Sequence, residues 1–200
     1  MEPFRTLDAV AAPLPAANVD TDQILPARFL FKARKEGFAE ELFGDLREAA
    51  RAGGDAFLLD RPEYQEARIL VADRNFGCGS SREHAVWALW DAGIRTVLAP
   101  SFGDIFFNNS LKNGLLPVVL SEARIGELLD HLREHPGSRI VVDLAGQMVT
   151  GPDGRVDSFD IAPLPKECLL EGLDDIELTL RYRDRMDTFE KEHERRLPWL

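Results

Sequence analysis

Arg68-Ile69-Leu70-Val71-Ala72-Asp73 leads through Arg74-Asn75-Phe76-Gly77-Cys78-Gly79-Ser80-Ser81-Arg82-Glu83-His84 into Ala85-Val86-Trp87-Ala88-Leu89-Trp90, and the reading of this stretch decides the fold. The first six residues form a short, nearly unbroken aliphatic run, which reads as a buried strand; the last six read as helix, stopped by Gly93. The glycine-bent segment between them therefore lies at the carboxyl edge of a strand, where open α/β sheets bind ligands.

Outward from this unit, strands are expected at 95–99 and 115–120, with helices at about 81–92 and 103–113. Short strands alternating with such helices imply right-handed crossovers and a mainly parallel βαβαβ unit, so the fold class is α/β. Ser121 caps a further helix with an apolar stripe of Ile125, Leu128, Leu129 and Leu132, closed by Pro136-Gly137. The alternation of Ile140, Val142 and Leu144, the turn Gly151-Pro152-Asp153-Gly154 and the run Val156 to Ile161 predict an added β-hairpin.

Upstream, residues 4 to 25 read as a short strand and a loop. Phe38, Leu42, Phe43, Leu46 and Ala50 recur at helical spacing before Gly53-Gly54, and a short strand is expected around Phe57-Leu58-Leu59. Near the carboxyl end, a short helix from Glu167 to Leu170 stops at Gly172. Asp174 with Glu177 resembles a capping box opening a last, charge-dense helix, which Pro198 limits.

The 200 residues suffice for one substantial domain with its own core. A net charge of -11 argues against nucleic acid or an anionic membrane as partner, though a local cationic pocket can still take an anion. Two cysteines, Cys78 and Cys168, are reduced-compartment usage. With neither a signal pattern at the amino terminus nor an apolar run of bilayer length, the expectation is a soluble cytoplasmic protein.

The segment 77–84 has the composition of a small-anion site. A helix amino terminus presents unpaired N–H groups, Gly77 and Gly79 allow close backbone approach, and Arg82 can hold a carboxylate with two parallel hydrogen bonds. A structural reading competes: Ser80 and Glu83 match Ser-x-x-Glu, a capping box that merely closes the helix, although Ser81 or the backbone could cap while Ser80 faces a ligand. Cys78 reads as a small buried residue, a low-pKa thiolate or a metal ligand, and His84 as a structural histidine, a carboxylate contact or a base. A thiol enzyme built on Cys78 and His84, and a stand-alone phosphate-binding module, are the readings from other classes. Asp20-Thr21-Asp22 is no EF-hand, for want of a ligand at 24 and glycine at 25, and otherwise reads as a helix-starting turn or a functional segment.

Four ordered segments carry a resemblance: Asn18 to Pro26, Asn75 to Ala85, Ala99 to Phe106 and Asn109 to Pro117. Together they resemble the small subunits of bacterial 3-isopropylmalate dehydratases, related to the swivelling domain of aconitase. The resemblance runs from about residue 4 to about 185. It implies a compact swivelling β/β/α domain over 1–180 with a charged helical tail over 181–200. It also implies reversible dehydration and rehydration of 2-isopropylmalate and 3-isopropylmalate through isopropylmaleate, in leucine biosynthesis.

In such enzymes the electrophile is the open iron of a [4Fe–4S] cluster. That cluster takes three thiolates and this chain has two cysteines, so the resemblance implies no metal on this chain and a cluster on a large iron–sulfur subunit. The small dicarboxylate substrate would then bind where the two subunits meet, and the small subunit alone should expose much apolar surface. Carried over by position, Ser80 is the catalytic base, Arg82 the loop arginine on a substrate carboxylate, and Asp22 part of the active-site polar network. Gly79, Ser81, His84 and Arg34 are the further substrate-binding candidates. Residues 26–38, with Phe29, Leu30 and Phe31, are where a pocket for the isopropyl group is expected. Related isomerases of methylmalate (citramalate) or homoaconitate type are the alternatives within the class.

Overall fold

The computed structural model describes residues 1–197. Strand β1 (Thr6–Leu14) is the hinge of the sheet, because it pairs parallel to β2 (Ala67–Ala72) on one side and antiparallel to β5 (Arg139–Asp143) on the other. Beyond β2 lie β3 (Thr96–Ala99) and β4 (Leu116–Val119), both parallel. Beyond β5 lie β6 (Met148–Thr150) and β7 (Val156–Ser158), both antiparallel, so the order is β4-β3-β2-β1-β5-β6-β7.

The aliphatic run in β2 has its physical reason in this placement. Leu70 and Ala72 enter one hydrophobic cluster and Ile69 and Val71 the other, so both faces of the strand are covered. Helices α1 (Thr21–Ile24), α2 (Gly44–Ala52), α3 (Glu83–Asp91) and α4 (Asp104–Lys112) precede α5 (Glu122–Glu134). The buried stripe Ile125, Leu128, Leu129 and Leu132 of α5 closes the second cluster.

Four local expectations are corrected. The apolar spacing of 38–50 does not make one helix: α2 begins at Gly44, because Phe43 turns with φ +54° and donates its N–H to Ile24 O at 2.8 Å. Phe38, Leu42 and Phe43, all fully buried, plug the first cluster from a turn. Phe57-Leu58-Leu59 runs into a 3₁₀ turn at Leu58–Asp60 instead of forming a strand. The hairpin is a three-stranded meander, since the chain reverses again between β5 and β6, where Gln147 has φ +54°. Beyond α6 (Pro163–Glu171), whose αL cap is Gly172, the last helix is two: α7 (Asp175–Leu180), with the expected Asp174–Glu177 capping box, and α8 (Arg183–Arg196). Pro198 lies outside the described residues.

Ile176, Leu180, Tyr182, Met186 and Phe189 are exposed along α7 and α8. Among the described residues no helix is long and apolar enough to cross a membrane.

Candidate active site

Three segments meet at the carboxyl ends of β1, β2 and β3. Gly77 donates its N–H to Val19 O at 2.7 Å, Thr21 its N–H to Cys78 O at 2.9 Å, and Phe76 its N–H to Ser101 O at 3.1 Å. Side chains add to the lacing: Asn75 Nδ2 donates to Asn18 Oδ1 at 2.8 Å, and the Thr21 hydroxyl to Ser80 O at 3.1 Å. Asp20 caps α1 with its carboxylate on Gln23 N–H at 2.8 Å, and Gln23 reciprocates at 3.0 Å. The segment 20–22 is therefore a capped helix start that carries Asp22 to the loop.

Gly77 is required twice over. Its φ is +71°, and a Cβ there would sit 2.2 Å from Cγ of Phe106, a buried ring packed edge-on against Phe76. Gly77→Ala is expected to destabilise the domain by about 2–4 kcal/mol, from overpacking plus the left-handed backbone. Chemical denaturation of the isolated chain measures this, and a midpoint equal to wild type would refute it.

Ser80 does not close a capping box. Helix α3 begins at Glu83, two residues later than expected, with Arg82 at the cap position and no side-chain cap. Glu83 instead accepts from Asn113 Nδ2 at 2.8 Å, tying α3 to the end of α4. Gly79, Ser80 and Ser81 are exposed, and among the described residues neither serine hydroxyl has a hydrogen-bond partner. Both precede the first turn of α3, whose amide groups have no side-chain cap.

Arg82 is brought to Asp22 across 60 positions of sequence. A short ion pair joins Nη1 to Oδ1, with Arg82 largely covered and Asp22 half-exposed. Among the described residues the remaining nitrogens of the guanidinium have no hydrogen-bond partner. His84 is placed differently: its ring lies 4.6 Å from that of Trp87 and 5.6 Å, edge-on, from that of Phe38, so it belongs to an aromatic seat. Among the described residues no hydrogen bond or ion pair joins Arg34 to Ser80 or Arg82. Arg34 is salt-bridged to Asp91 at 2.7 Å and lies over the Trp87 ring at 5.3 Å.

Cys78 is part-buried and precedes the helix start by five positions. Burial first, and then the Asp20 carboxylate, push its thiol up, opposite to a low-pKa nucleophile. Among the described residues no three His, Cys, Asp or Glu side chains converge into a metal-holding group, and two cysteines fall short of the donor set of a [4Fe–4S] cluster. Sequence reasoning did not single out Thr21, Ser101 or Asp91, because a hydroxyl or carboxylate that ties loop to helix has no local signature.

A mixed sheet whose parallel half carries loops laced around an exposed Gly-Ser-Ser-Arg turn is the class of the aconitase C-terminal domain, and that family's model matches residues 1–123, followed by the LeuD_N family over 127–163. Over the full length of both chains, the sequence is 50% identical to a 3-isopropylmalate dehydratase small subunit of Paramagnetospirillum magneticum. It is 48% identical to small subunit 1 of that enzyme from Bordetella parapertussis, covering 100% of this chain and 97% of the other. The crystal structure of a 3-isopropylmalate dehydratase from Methanocaldococcus jannaschii superposes with a TM-score of 0.68 at 26% identity, covering 92% of this chain and 99% of that one. The chain belongs to the family of 3-isopropylmalate dehydratase small subunits.

Proposed function

We propose that this chain supplies the serine base and the carboxylate-binding arginine of a two-subunit hydro-lyase that interconverts 2-isopropylmalate and 3-isopropylmalate through isopropylmaleate. The observation that carries the reading is the pairing of an unpartnered, exposed Ser80 with a held Arg82 on one loop, in a chain alike over its whole length to such small subunits. Arg82 takes one substrate carboxylate bidentately, and Asp22 fixes its guanidinium from the opposite edge. Ser80, as alkoxide, removes the proton from the carbon next to a carboxylate. The proton taken by Ser80 and the hydroxide leaving the neighbouring carbon together make up the water released, and rehydration of the double bond reverses both steps with the positions exchanged. A serine is too weakly acidic for this in water, so Arg82 and the amide groups opening α3 stabilise the anion.

The donors of this chain do not fit an iron–sulfur cluster, which is assigned to a large subunit. The openness of the loop and the exposed apolar residues of α7 and α8 support a partner that completes the site. Residues 1–180 form the swivelling domain in this reading, and 181–200 the tail. Phe31, 89% exposed in the 26–38 loop, is compatible with an apolar substituent, and the full-length likeness to 3-isopropylmalate dehydratase small subunits favours the isopropyl group over the methylmalate and homoaconitate alternatives. The cytoplasm is the proposed compartment, from reduced-cysteine usage.

The reading is tested by mixing the chain anaerobically with an iron–sulfur large subunit of the family and following the ultraviolet absorbance of the unsaturated intermediate. Turnover in the mixture alone supports it; no turnover from a formed complex with intact cluster, on any malate-type substrate, refutes it. In that assay Arg82→Lys is expected to lower kcat/KM about a hundredfold, because the charge stays while the two-point grip is lost. A loss under about threefold would remove Arg82 from the substrate.

A further inference from the structure

The loop 26–38 is fastened to the site at both ends. It leaves the carboxyl end of α1, the helix that carries Asp22, and returns at Phe38, whose fully buried ring touches His84 and Trp87 on α3. Near its middle Phe31 stands in solvent. The return is held by one carboxylate: Asp91 in the last turn of α3 accepts the Phe38 N–H at 2.9 Å and the Arg34 guanidinium at 2.7 Å, both on Oδ2. Gly37, at φ +70°, reverses the chain between these two contacts. The Asp91 side chain is only 15% exposed, so its charge is poorly hydrated and needs both partners.

Helix α3 is a rigid base for such an anchor. Trp87, under Arg34, donates from Nε1 to Asn113 Oδ1 at 2.9 Å, and Asn113 donates in turn to Glu83, the residue after Arg82. Loop and carboxylate-binding arginine are thereby referenced to one element. A second pair, Lys32 with Glu41 at 2.6 Å, ties the loop to its own return segment, not to α3.

We propose that Asp91 is the positioning residue that sets the 26–38 loop against the active site, with Arg34 as its charged partner, so that Arg34 acts on substrate binding through Asp91. This deepens, and rests on, the hydro-lyase reading of the site. The test uses Asp91→Ala, Asp91→Asn, Arg34→Ala and the Ala/Ala double variant, none of which alters the aromatic cleavage sites at Phe29 and Phe31.

In the isolated full-length chain, chymotrypsin is expected to cut the loop about tenfold faster in Asp91→Ala than in wild type, through a raised population of the open loop. Asp91→Asn, which keeps an acceptor for the Phe38 N–H, is expected to fall between, and it carries the comparison should Asp91→Ala melt early. In the complex with a large subunit, Asp91→Ala is expected to raise KM about tenfold with kcat within about twofold, and the double variant to equal Asp91→Ala. Unchanged loop cleavage at an unchanged melting midpoint would overturn the proposal, as would full additivity of the two single variants, which would put Arg34 directly on the substrate. A wild-type complex without turnover would count against the functional reading alone, since the cleavage rates of the isolated chain still decide the anchor.

Discussion

Ser80→Ala in the complex with the large subunit is expected to lower kcat by roughly a thousandfold or more, the range for deleting a proton-transferring base, with KM nearly unchanged. The variant should also be as stable as wild type. The hydroxyl is exposed and unpartnered among the described residues, and the loop is held through the Ser80 carbonyl, which alanine retains. Measuring kcat and the denaturation midpoint on one preparation separates the chemistry from the fold. A kcat within tenfold of wild type would move the base elsewhere and weaken the whole assignment of the loop.

Arg124→Ala is expected to be strongly destabilising, by about 2–4 kcal/mol, because a buried arginine with three carboxylate partners is lost although Asp153 and Glu127 stay partly exposed. Arg124 is 2% exposed. Its guanidinium grips Asp153 with two bonds, 2.7 and 2.8 Å, and also binds Asp157 at 2.6 Å and Glu127 at 3.1 Å. These bonds clamp the turn between β6 and β7, and β7 itself, onto the first turns of α5, so alanine would leave Asp153 without its cation, and Glu127 and Asp157 with Arg155 alone. The same contacts predict an acid limb. The Arg124 hydrogen bond, foremost, holds Asp153 at about 2 against an ordinary 3.8. A depressed folded value means that this stability is fully present above the unfolded value and is lost as pH falls from about 4 through about 2. Urea midpoints across that range should fall for wild type and fall less for Arg124→Ala; parallel curves would show that the pair contributes nothing.

The parallel half of the sheet was legible because its strands and helices are short, apolar and locally consistent. The run 68–73 can only be buried on both faces, and the α5 stripe has one period and one cap. Misreadings fell where burial came from somewhere other than a periodic face. Phe38, Leu42 and Phe43 are spaced like a helix, yet they are held by a left-handed turn at Phe43 and a bond back to Ile24. The chain pattern of β5 to β7 showed the turn at 151–154 but not the reversal at Gln147, where the left-handed position falls on a glutamine and not on the neighbouring Gly146.

At the site the division is similar. The sequence by itself determined that a glycine-bent loop with Ser80, Ser81 and Arg82 follows a buried strand, and that two cysteines fall short of the three thiolates of the cluster the resemblance implies, because composition and local steric rules decide both. Only the tertiary structure decided between capping and exposure for Ser80, since Glu83 was free in sequence to close the box and is drawn instead to Asn113 on the next helix. It alone set Asp22 on Arg82, Arg34 on Asp91 and three carboxylates on Arg124. Such pairings join residues tens of positions apart. A charge carries no record of its partner along the chain, and the fold supplies that partner by closing the sheet and its loops around it.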